Sequence, residues 1–176
     1  LQVHAIAHEI GIRSNCTMLF GTVESISDRI HHLIRIREQQ DSSGGFQCFV
    51  PYPFLPDHSR LPEAQLATSS EVVRMIAVSR LMLDNIPHIK AYRMNLGDHL
   101  SSICLNAGAD DIDGTVGHEE IMHDAGSTTR LDTPERGLLR LIESTNSTPV
   151  RRNSTYDEFI EVEFDDSSIS LPIASG

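Results

Sequence analysis

The sequence lacks any apolar run that approaches the roughly 20 residues needed to cross a bilayer. Its N-terminus also lacks the basic-then-apolar order that is typical of a signal peptide. We therefore expect a cytoplasmic protein without a membrane partner. With 176 residues, of which 39% are hydrophobic, the chain is long enough to bury one sizeable core.

Positive charge is scarce. Lys and Arg together number 14 against 25 Asp and Glu, which gives a net charge of -11. Because sequence-independent nucleic-acid binding requires clustered cations, this balance argues against a nucleic-acid partner. Much of the acidic surplus lies near the C-terminus, at Asp157, Glu158, Glu161, Glu163, Asp165 and Asp166. We predict an acidic C-terminal extension over residues 153–176 that is partly disordered.

Cysteine is rare, and Cys16, Cys48 and Cys104 lie far apart in the chain. Their odd number and wide spacing favour neither a disulfide framework nor a local metal knuckle, so buried free thiols are expected. A second metal candidate, the stretch GTVGHEEIMHDAG, resembles the H-E-x-x-H zinc helix. His118 and His123 are five residues apart, however, which places them about 140° apart around a helix. A zinc hydrolase is therefore disfavoured, and no metal ligand is predicted.

Apolar periodicity alternates between helices and strands along the chain. Gly11 is expected to end a first helix, and Ser25 to cap a second one that stops at Gly44. The predicted strands are SNCTMLFG, FQCFV, HIKAYRM and DDIDGTV; further helices are predicted over residues 70–85, around 100–107 and after Thr133-Pro134. The prolines at 51, 53, 56 and 62 predict a long loop without regular structure after the second strand.

Four strand-helix units imply parallel strands, and they amount to half of a (β/α)8 barrel, which usually needs about 250 residues. The sequence is therefore either a small open α/β sheet or, over residues 1–152, the C-terminal half of a barrel. Both architectures bind ligands beyond the C-terminal ends of their strands. The candidate segments are FGTVE, VPYPFLPDHS, MNLGDH and DGTVGHEE.

Several long blocks carry a specific resemblance: GIRSNCTMLFGTVES, HHLIRIREQQDSSGGFQCFVPYPF, IAVSRLMLDNIPHIKAY and NAGADDIDGTVGHEEIMHDAGS. From residue 1 to about 156 the chain resembles the C-terminal half of the radical S-adenosylmethionine (SAM) enzymes of the futalosine route to menaquinone. Within that family it is most similar to the aminofutalosine (aminodeoxyfutalosine) synthase branch, and less so to the cyclic dehypoxanthinylfutalosine synthases and the radical enzymes of deazaflavin biosynthesis.

The resemblance implies a (β/α)8 barrel with a [4Fe-4S] cluster that cleaves SAM to a 5'-deoxyadenosyl radical. In the synthase branch this radical adds to the enol ether of 3-[(1-carboxyvinyl)oxy]benzoate, a small-molecule substrate. Two departures from the family pattern stand out. The cluster-binding C-x3-C-x2-C motif is not present, so we expect its ligands in a missing N-terminal half and an inactive isolated chain. Thr22 and Leu55-Pro56 stand where the family usually has histidines.

The same resemblance implies site residues at the strand ends. Gly21 and Glu24 resemble the G-x-x-E motif that cradles SAM, because glycine admits the ligand to the backbone and a carboxylate accepts from hydroxyl or ammonium groups. The segment from Phe49 through Val50 to Pro51 is expected to offer backbone and apolar contact to adenine. The competing interpretation of Gly21 and Glu24 is that they only end the strand and begin the next helix. The competing interpretation of the segment from Phe49 to Pro51 is that it is simply the buried end of a strand.

The predicted substrate residues are Asn15, Thr17, Arg93, Asn95, Asp113 and Thr115. Asn15 and Thr17 alternate along the first strand with Cys16 and Met18. One of these two faces should look into the barrel. Arg93, the cation that follows the third strand, could pair with a carboxylate of the substrate. No catalytic residue is assigned. A related futalosine-pathway enzyme and a noncatalytic half-barrel are the alternatives, and exposed sheet edges predict self-association.

Overall fold

The computed structural model describes residues 1–57, 59–64 and 66–162, so Glu163, Asp165 and Asp166 of the acidic cluster lie outside the described residues. The strands are β1 (Ser14–Phe20), β2 (Phe46–Pro53), β3 (His88–Ala91), β4 (Asp111–Ile112), β5 (Val150–Arg152) and β6 (Phe159–Glu161). The helices are α1 (Gln2–Glu9), α2 (Ile26–Ser43), α3 (Ser69–Met82), α4 (Arg93–Asn106), α5 (Ile121–Asp124) and α6 (Glu135–Glu143). Each helix of this described part is too short or too polar to traverse a membrane.

The first four strands form one parallel sheet in the order β1-β2-β3-β4. Crossovers of one hand between neighbours in chain order place every connecting helix on the same face. Cys16, Met18 and Phe20 of β1 accordingly belong to one core with residues of α2 and α3. A doubly wound sheet would carry helices on both faces. The strand order therefore confirms the α/β prediction in its half-barrel form.

Helix α2 begins and ends where the sequence predicts. The Ser25 hydroxyl accepts from the Asp28 N–H at 3.2 Å, and the Asp28 carboxylate accepts from the Ser25 N–H at 2.8 Å. This reciprocal pair is a capping box, which satisfies two free donors of the first turn. Gly44 ends the helix in the left-handed region, at φ 62°.

The expectation that Pro51 and Pro53 belong to an irregular loop is wrong, because β2 continues through both. The N–H of Phe54 donates to the Phe20 carbonyl of β1 at 2.7 Å. Since successive strand residues point their N–H groups to opposite sides, both prolines face the other edge of β2. The pairing with β3 ends at Phe49, so no ladder hydrogen bond is lost there.

The third strand is shorter than predicted. It ends at Ala91, and Arg93 already begins α4, with the Tyr92 carbonyl accepting from the N–H of Leu96 at 3.0 Å. Helix α4 also contains a break at Gly97, whose φ of 76° and ψ of 166° are readily available to glycine. The last helix begins at Glu135 after Pro134, one residue later than the prediction that placed Thr133 at its cap.

A C-terminal hairpin covers part of the sheet face opposite the helices. Strands β5 and β6 pair antiparallel, and Tyr156 in their connection is buried against Cys48 and Val50 of β2. The Tyr156 hydroxyl donates to Asp111 at 2.6 Å, and its ring stacks on His88 at 4.7 Å. The hairpin thus spans the predicted boundary at residue 152, while the extension beyond it stays a prediction.

One buried side chain ties α2 to the sheet. The Gln40 amide donates to the carbonyls of Phe46 and Asn85, both at 3.1 Å, and its oxygen accepts from the Phe46 N–H at 2.8 Å. A buried backbone group that loses such a partner and finds no other costs about 1–3 kcal/mol.

Replacing this amide tests its role. We expect Gln40→Met to lower the free energy of unfolding by at least about 2 kcal/mol, because three backbone groups lose their partner. Urea unfolding of the full chain measures the change. Gln39→Met is the matched control, since the Gln39 amide donates to the Ser43 hydroxyl and reaches no strand. Equal stability of the two variants would contradict the role of Gln40.

Candidate functional site

A cleft of about 430 Å³ lies at the C-terminal ends of the strands, on the sheet side away from the helices. Its size is within the range of small-molecule sites. Strand β1 contributes to its wall, as do the segments that follow β2, β3 and β4. The lining residues are Leu19, Tyr52, Pro53, Phe54, Leu55, Tyr92, Asn95, Glu119, Ile121, Met122 and Ala125.

Two tyrosines and a carboxylate form one polar group of the cleft. The rings of Tyr52 and Tyr92 meet edge to face, with centroids 5.2 Å apart at 77°. The Tyr92 hydroxyl donates to Glu119 Oε2 at 3.0 Å, while Glu119 Oε1 accepts from the Met122 N–H at 3.1 Å. The Met122 N–H lowers the pKa of Glu119, and burial raises the pKa of Tyr92. The pair is therefore a neutral phenol that donates to an ionised carboxylate.

Asn95 is the predicted substrate residue that lines the cleft. Its Nδ2 donates to the Pro53 carbonyl at 3.2 Å and to the Met122 sulfur at 3.6 Å. Its Oδ1 is buried and finds no hydrogen-bond partner among the residues that the structure describes. This oxygen is therefore an unsatisfied buried acceptor, a condition that is uncommon in folded proteins.

The glutamate of the G-x-x-E motif is hydrogen-bonded to residues of its own loop. The Glu24 carboxylate accepts from the Gly21 N–H at 2.6 Å, the Thr22 N–H at 2.8 Å and hydroxyl at 2.7 Å, and Arg29 Nε at 2.8 Å. Desolvation opposes its ionisation, yet the hydrogen bonds from Gly21 and Thr22 lower the pKa of Glu24 to about 2. Gly21 has φ 87°, which a side chain would strain. This carboxylate therefore fixes the loop that follows β1.

The other residues predicted to contact SAM lie on both faces of β2. Phe49 is completely buried in the core shared with the helices. Val50 faces the opposite side, with Cys48 and Tyr156, and Pro51 is buried within the strand. The segment can therefore present the side chain of Val50, but not that of Phe49, to the face that bears the cleft.

Asn15 and Thr17 point away from the helices. Both are exposed on β1, and they alternate with Cys16 and Met18, which are buried in the core. Leu19 continues the exposed row and reaches the cleft. The sequence did not decide which face of β1 looks into the barrel. In the structure, the face that carries Asn15 and Thr17 is on the side of the cleft.

Arg93 and Asp113 lie together where α4 follows β3 and where β4 ends. The Asp113 carboxylate accepts from the Arg93 N–H at 2.5 Å, and its second oxygen lies 3.7 Å from Arg93 Nε. Arg93 Nη1 donates to Asp98 at 3.0 Å and to Thr133 at 3.2 Å, and the side chain is completely buried. Burial raises the pKa of Asp113. The guanidinium is thus paired within the protein rather than directed into the cleft.

The remaining candidates are not drawn together. Thr115 is exposed, and its hydroxyl donates to the Thr133 carbonyl at 3.0 Å. His118 lies before α5 and pairs with Glu120 at 3.3 Å, whereas His123 contacts the Thr129 carbonyl at 2.8 Å. Within residues 1–57, 59–64 and 66–162, no three His, Cys, Asp or Glu side chains could hold a metal ion.

The sequence interpretation did not select Tyr52, Tyr92 or Glu119 as site residues. A usable signal existed for the two tyrosines, because each comes at or just after the end of a strand, in VPYPF and KAYRM. Glu119 belongs to the candidate segment DGTVGHEE, which the sequence places after the fourth strand. Helix α5 begins only at Ile121, which leaves Glu119 in the loop that borders the cleft.

The chain matches known proteins over most of its length. The sequence model of the CofH/MqnC C-terminal region matches residues 43–164. The chain is 41% identical to an aminodeoxyfutalosine synthase of Thermus thermophilus over 90% of its own length and 44% of the relative's. It is 37% identical to an aminodeoxyfutalosine synthase of Streptomyces coelicolor (92% and 45%) and 36% identical to a cyclic dehypoxanthine futalosine synthase of that organism (91% and 40%). The chain thus spans about half the length of these relatives.

Glu24 gives a pH-dependent prediction. Because the folded-state pKa of about 2 lies below the ordinary 4.5, ionised Glu24 stabilises the fold above about pH 5, and this contribution disappears as the pH falls toward 2. The stability difference between wild type and Glu24→Gln should therefore shrink over that range in urea unfolding. Glu9→Gln, at an exposed position on the first helix, is the matched control for the removal of one carboxylate. A pH-independent difference for Glu24→Gln would refute the assignment.

Proposed function

The chain belongs to the CofH/MqnC C-terminal family, and from this premise we propose that it is the C-terminal half of an aminodeoxyfutalosine synthase of menaquinone biosynthesis. The 41% identity to a synthase of that name, over 90% of this chain, is the observation that carries the proposal. The one-faced parallel sheet and its cleft at the strand ends are compatible with a barrel enzyme that acts on small molecules.

In the proposed reaction, bound SAM and a [4Fe-4S] cluster would supply a 5'-deoxyadenosyl radical for addition to 3-[(1-carboxyvinyl)oxy]benzoate. The cysteines of this chain do not fit the cluster. Cys16 and Cys104 are buried in the core shared with the helices, whereas Cys48 is buried on the opposite face of the sheet, so the three thiols do not converge on one site. We therefore assign the cluster ligands to residues outside this sequence, and expect the isolated chain to be inactive.

The proposed task of this chain is to bind and orient the small molecules. Asn95 in the cleft, and Asn15 and Thr17 on the same sheet face, are proposed to contact substrate. Arg93 and Asp113 hold the segments that border the cleft, so we assign them a positioning role. Thr115 is proposed to contact substrate from the exposed loop after β4.

Contacts to SAM are proposed along β1 and β2. Gly21 would admit the ligand to the backbone of its loop, and Glu24 would keep that loop closed. Val50 would contribute its side chain, whereas Phe49 and Pro51 would contribute main-chain atoms, since both are buried.

A related activity is the second candidate. The 36% identity to a cyclic dehypoxanthine futalosine synthase supports a different substrate in the same pathway. In either case we propose a cytoplasmic protein with small-molecule substrates and neither nucleic acid nor membrane as partner. Strands β1 and β4 are the edges of the described four-stranded sheet, and we propose that an isolated chain would associate through them.

The activity test uses this chain joined to the cluster-binding residues, with the cluster reconstituted under reducing conditions. We expect the protein to consume SAM and the enol-ether benzoate and to form aminofutalosine, as measured by mass spectrometry. The 176-residue chain alone is the control and should form none. If no deoxyadenosyl-derived product forms with either futalosine-pathway substrate, the proposal is contradicted.

A further inference from the structure

We propose that Lys90 is the residue that binds a carboxylate of the small-molecule ligand, from the sheet face that bears the cleft. The inference rests on the proposed function and deepens it, because it names the residue that makes the protein specific for an acidic ligand. The sequence favoured Arg93 for this contact, but that guanidinium is buried and paired with Asp98 and Asp113.

Lys90 lies on the sheet face opposite the helices, next to the cleft. Its strand neighbours Ile89 and Ala91 are buried in the core shared with the helices, so the side chain of Lys90 points to the other face. Tyr92, which lines the cleft, comes two residues later in the chain. At about 3.3 Å per strand residue, the two positions are separated by about 7 Å. An acidic group that extends from the cleft toward the start of the strands would therefore meet Lys90.

Lys90 is one of two cations that share a single carboxylate. Arg152 donates to both oxygens of Asp111, from Nε at 2.9 Å and from Nη2 at 2.8 Å, and the Tyr156 hydroxyl donates to the same group at 2.6 Å. The Lys90 ammonium lies 3.3 Å from Asp111 Oδ2, which already accepts from the other two side chains. Because a bidentate pair of arginine and carboxylate satisfies both partners, the ammonium is the positive charge that remains without a counter-charge of its own.

Two further carboxylates lie near the cleft, and each has its own partners. Asp113 accepts from the Arg93 N–H and lies 3.7 Å from Arg93 Nε. Glu119 accepts from the Tyr92 hydroxyl and from a backbone N–H. Neither carboxylate forms an ion pair with Lys90 in the part of the chain that the structure describes. The positive charge is thus left for a ligand.

The Lys90 ammonium is accessible. The side chain keeps 15% of its surface exposed. Among residues 1–57, 59–64 and 66–162 its nitrogen makes no hydrogen bond, yet it is not one of the fully buried polar atoms that lack a partner, so water reaches it. Asn15 and Thr17 are also exposed on this face, which leaves the space above β1 open. Because an ammonium has three donors and salt screens a partly buried pair less than an exposed one, a carboxylate is the favoured ligand group.

The proposal is tested with two probes that differ in charge but hardly in shape: 3-hydroxybenzoate and its uncharged amide, 3-hydroxybenzamide. In equilibrium dialysis against the full chain at neutral pH, we expect the benzoate to bind at least about tenfold more tightly, because hydrogen bonds between charged groups exceed neutral ones by about that factor. Lys90→Met should remove this preference, and Lys90→Arg should keep most of it. Equal binding of the two probes by the wild-type chain would overturn the inference.

Arg151→Met is the matched control, because it removes one positive charge from an exposed ion pair with Glu135. It should retain the preference for the benzoate. A preference that survives in Lys90→Met would also overturn the inference, since Lys90 would then only help to fasten the C-terminal hairpin through Asp111. The comparison of the two probes on the wild-type chain is decisive even if a variant fails to fold.

The sequence allows a second, independent measurement, because Lys90 is the single lysine among its 14 Lys and Arg residues. A reagent that acetylates primary amines therefore modifies Lys90 and the N-terminal amine, and peptide mass spectrometry distinguishes the two. We expect excess 3-hydroxybenzoate, but not the amide, to slow the acetylation of Lys90 while the N-terminal amine reacts as before. An unchanged rate at Lys90 would contradict the proposal.

These outcomes are separable from the proposed activity. Dialysis and acetylation require neither the cluster nor turnover, so a preference for the benzoate that depends on Lys90, without any product formation, would contradict the proposed function alone. Aminofutalosine formation with an unchanged KM for the enol-ether benzoate in Lys90→Met would contradict this inference alone.

Discussion

The buried ion pair of Arg93 and Asp113 is the interaction on which the cleft depends. It joins the first residue of α4 to the end of β4, and Arg93 also reaches Thr133 ahead of α6. Burying a guanidinium is costly unless it is paired and hydrogen-bonded, and removing one partner of such a pair typically costs about 3–5 kcal/mol. Hydroxyls of the returning loop add to this connection, with Thr129 donating to the Arg93 carbonyl and Ser127 to that of Met94. Tyr92 and Asn95, the cleft residues that flank Arg93 in the chain, are therefore held in place by a buried charge.

The order of the strands in the sheet determines where the Arg93–Asp113 pair and the cleft lie. Because four parallel strands follow one another with their helices on one side, the opposite face carries the polar row of β1 and the wall of Tyr52 and Tyr92. The C-terminal hairpin covers this face near the start of β3, where Tyr156 stacks on His88. The other end, beyond the carboxyl ends of the strands, is where the cleft lies.

Local chemistry made much of the fold predictable. The Ser25 cap and the Gly44 stop follow from short-range rules, and the four parallel strands follow from alternating apolar periods. The strand through Pro51 and Pro53 could not be predicted, because it depends on the pairing of β2 with β3 ending at Phe49, before the two residues that have no N–H to donate. The candidate site was harder to predict from the sequence than the fold. A cation after a strand predicts a substrate contact, and only the tertiary structure reveals that Arg93 is paired with Asp113. The family resemblance supplied the G-x-x-E motif but not its self-closed geometry.

The most direct test of this account is amide hydrogen exchange on Arg93→Met, which keeps the apolar volume of the side chain and removes its charge. The loss of the pair should speed exchange over residues 92–96 and throughout the segment 113–133, while α2 and its pairing with β1 and β2 exchange as in the wild type. Faster exchange confined to residue 93 and its immediate neighbours, with segment 113–133 unchanged, would show that the cleft does not depend on the buried ion pair.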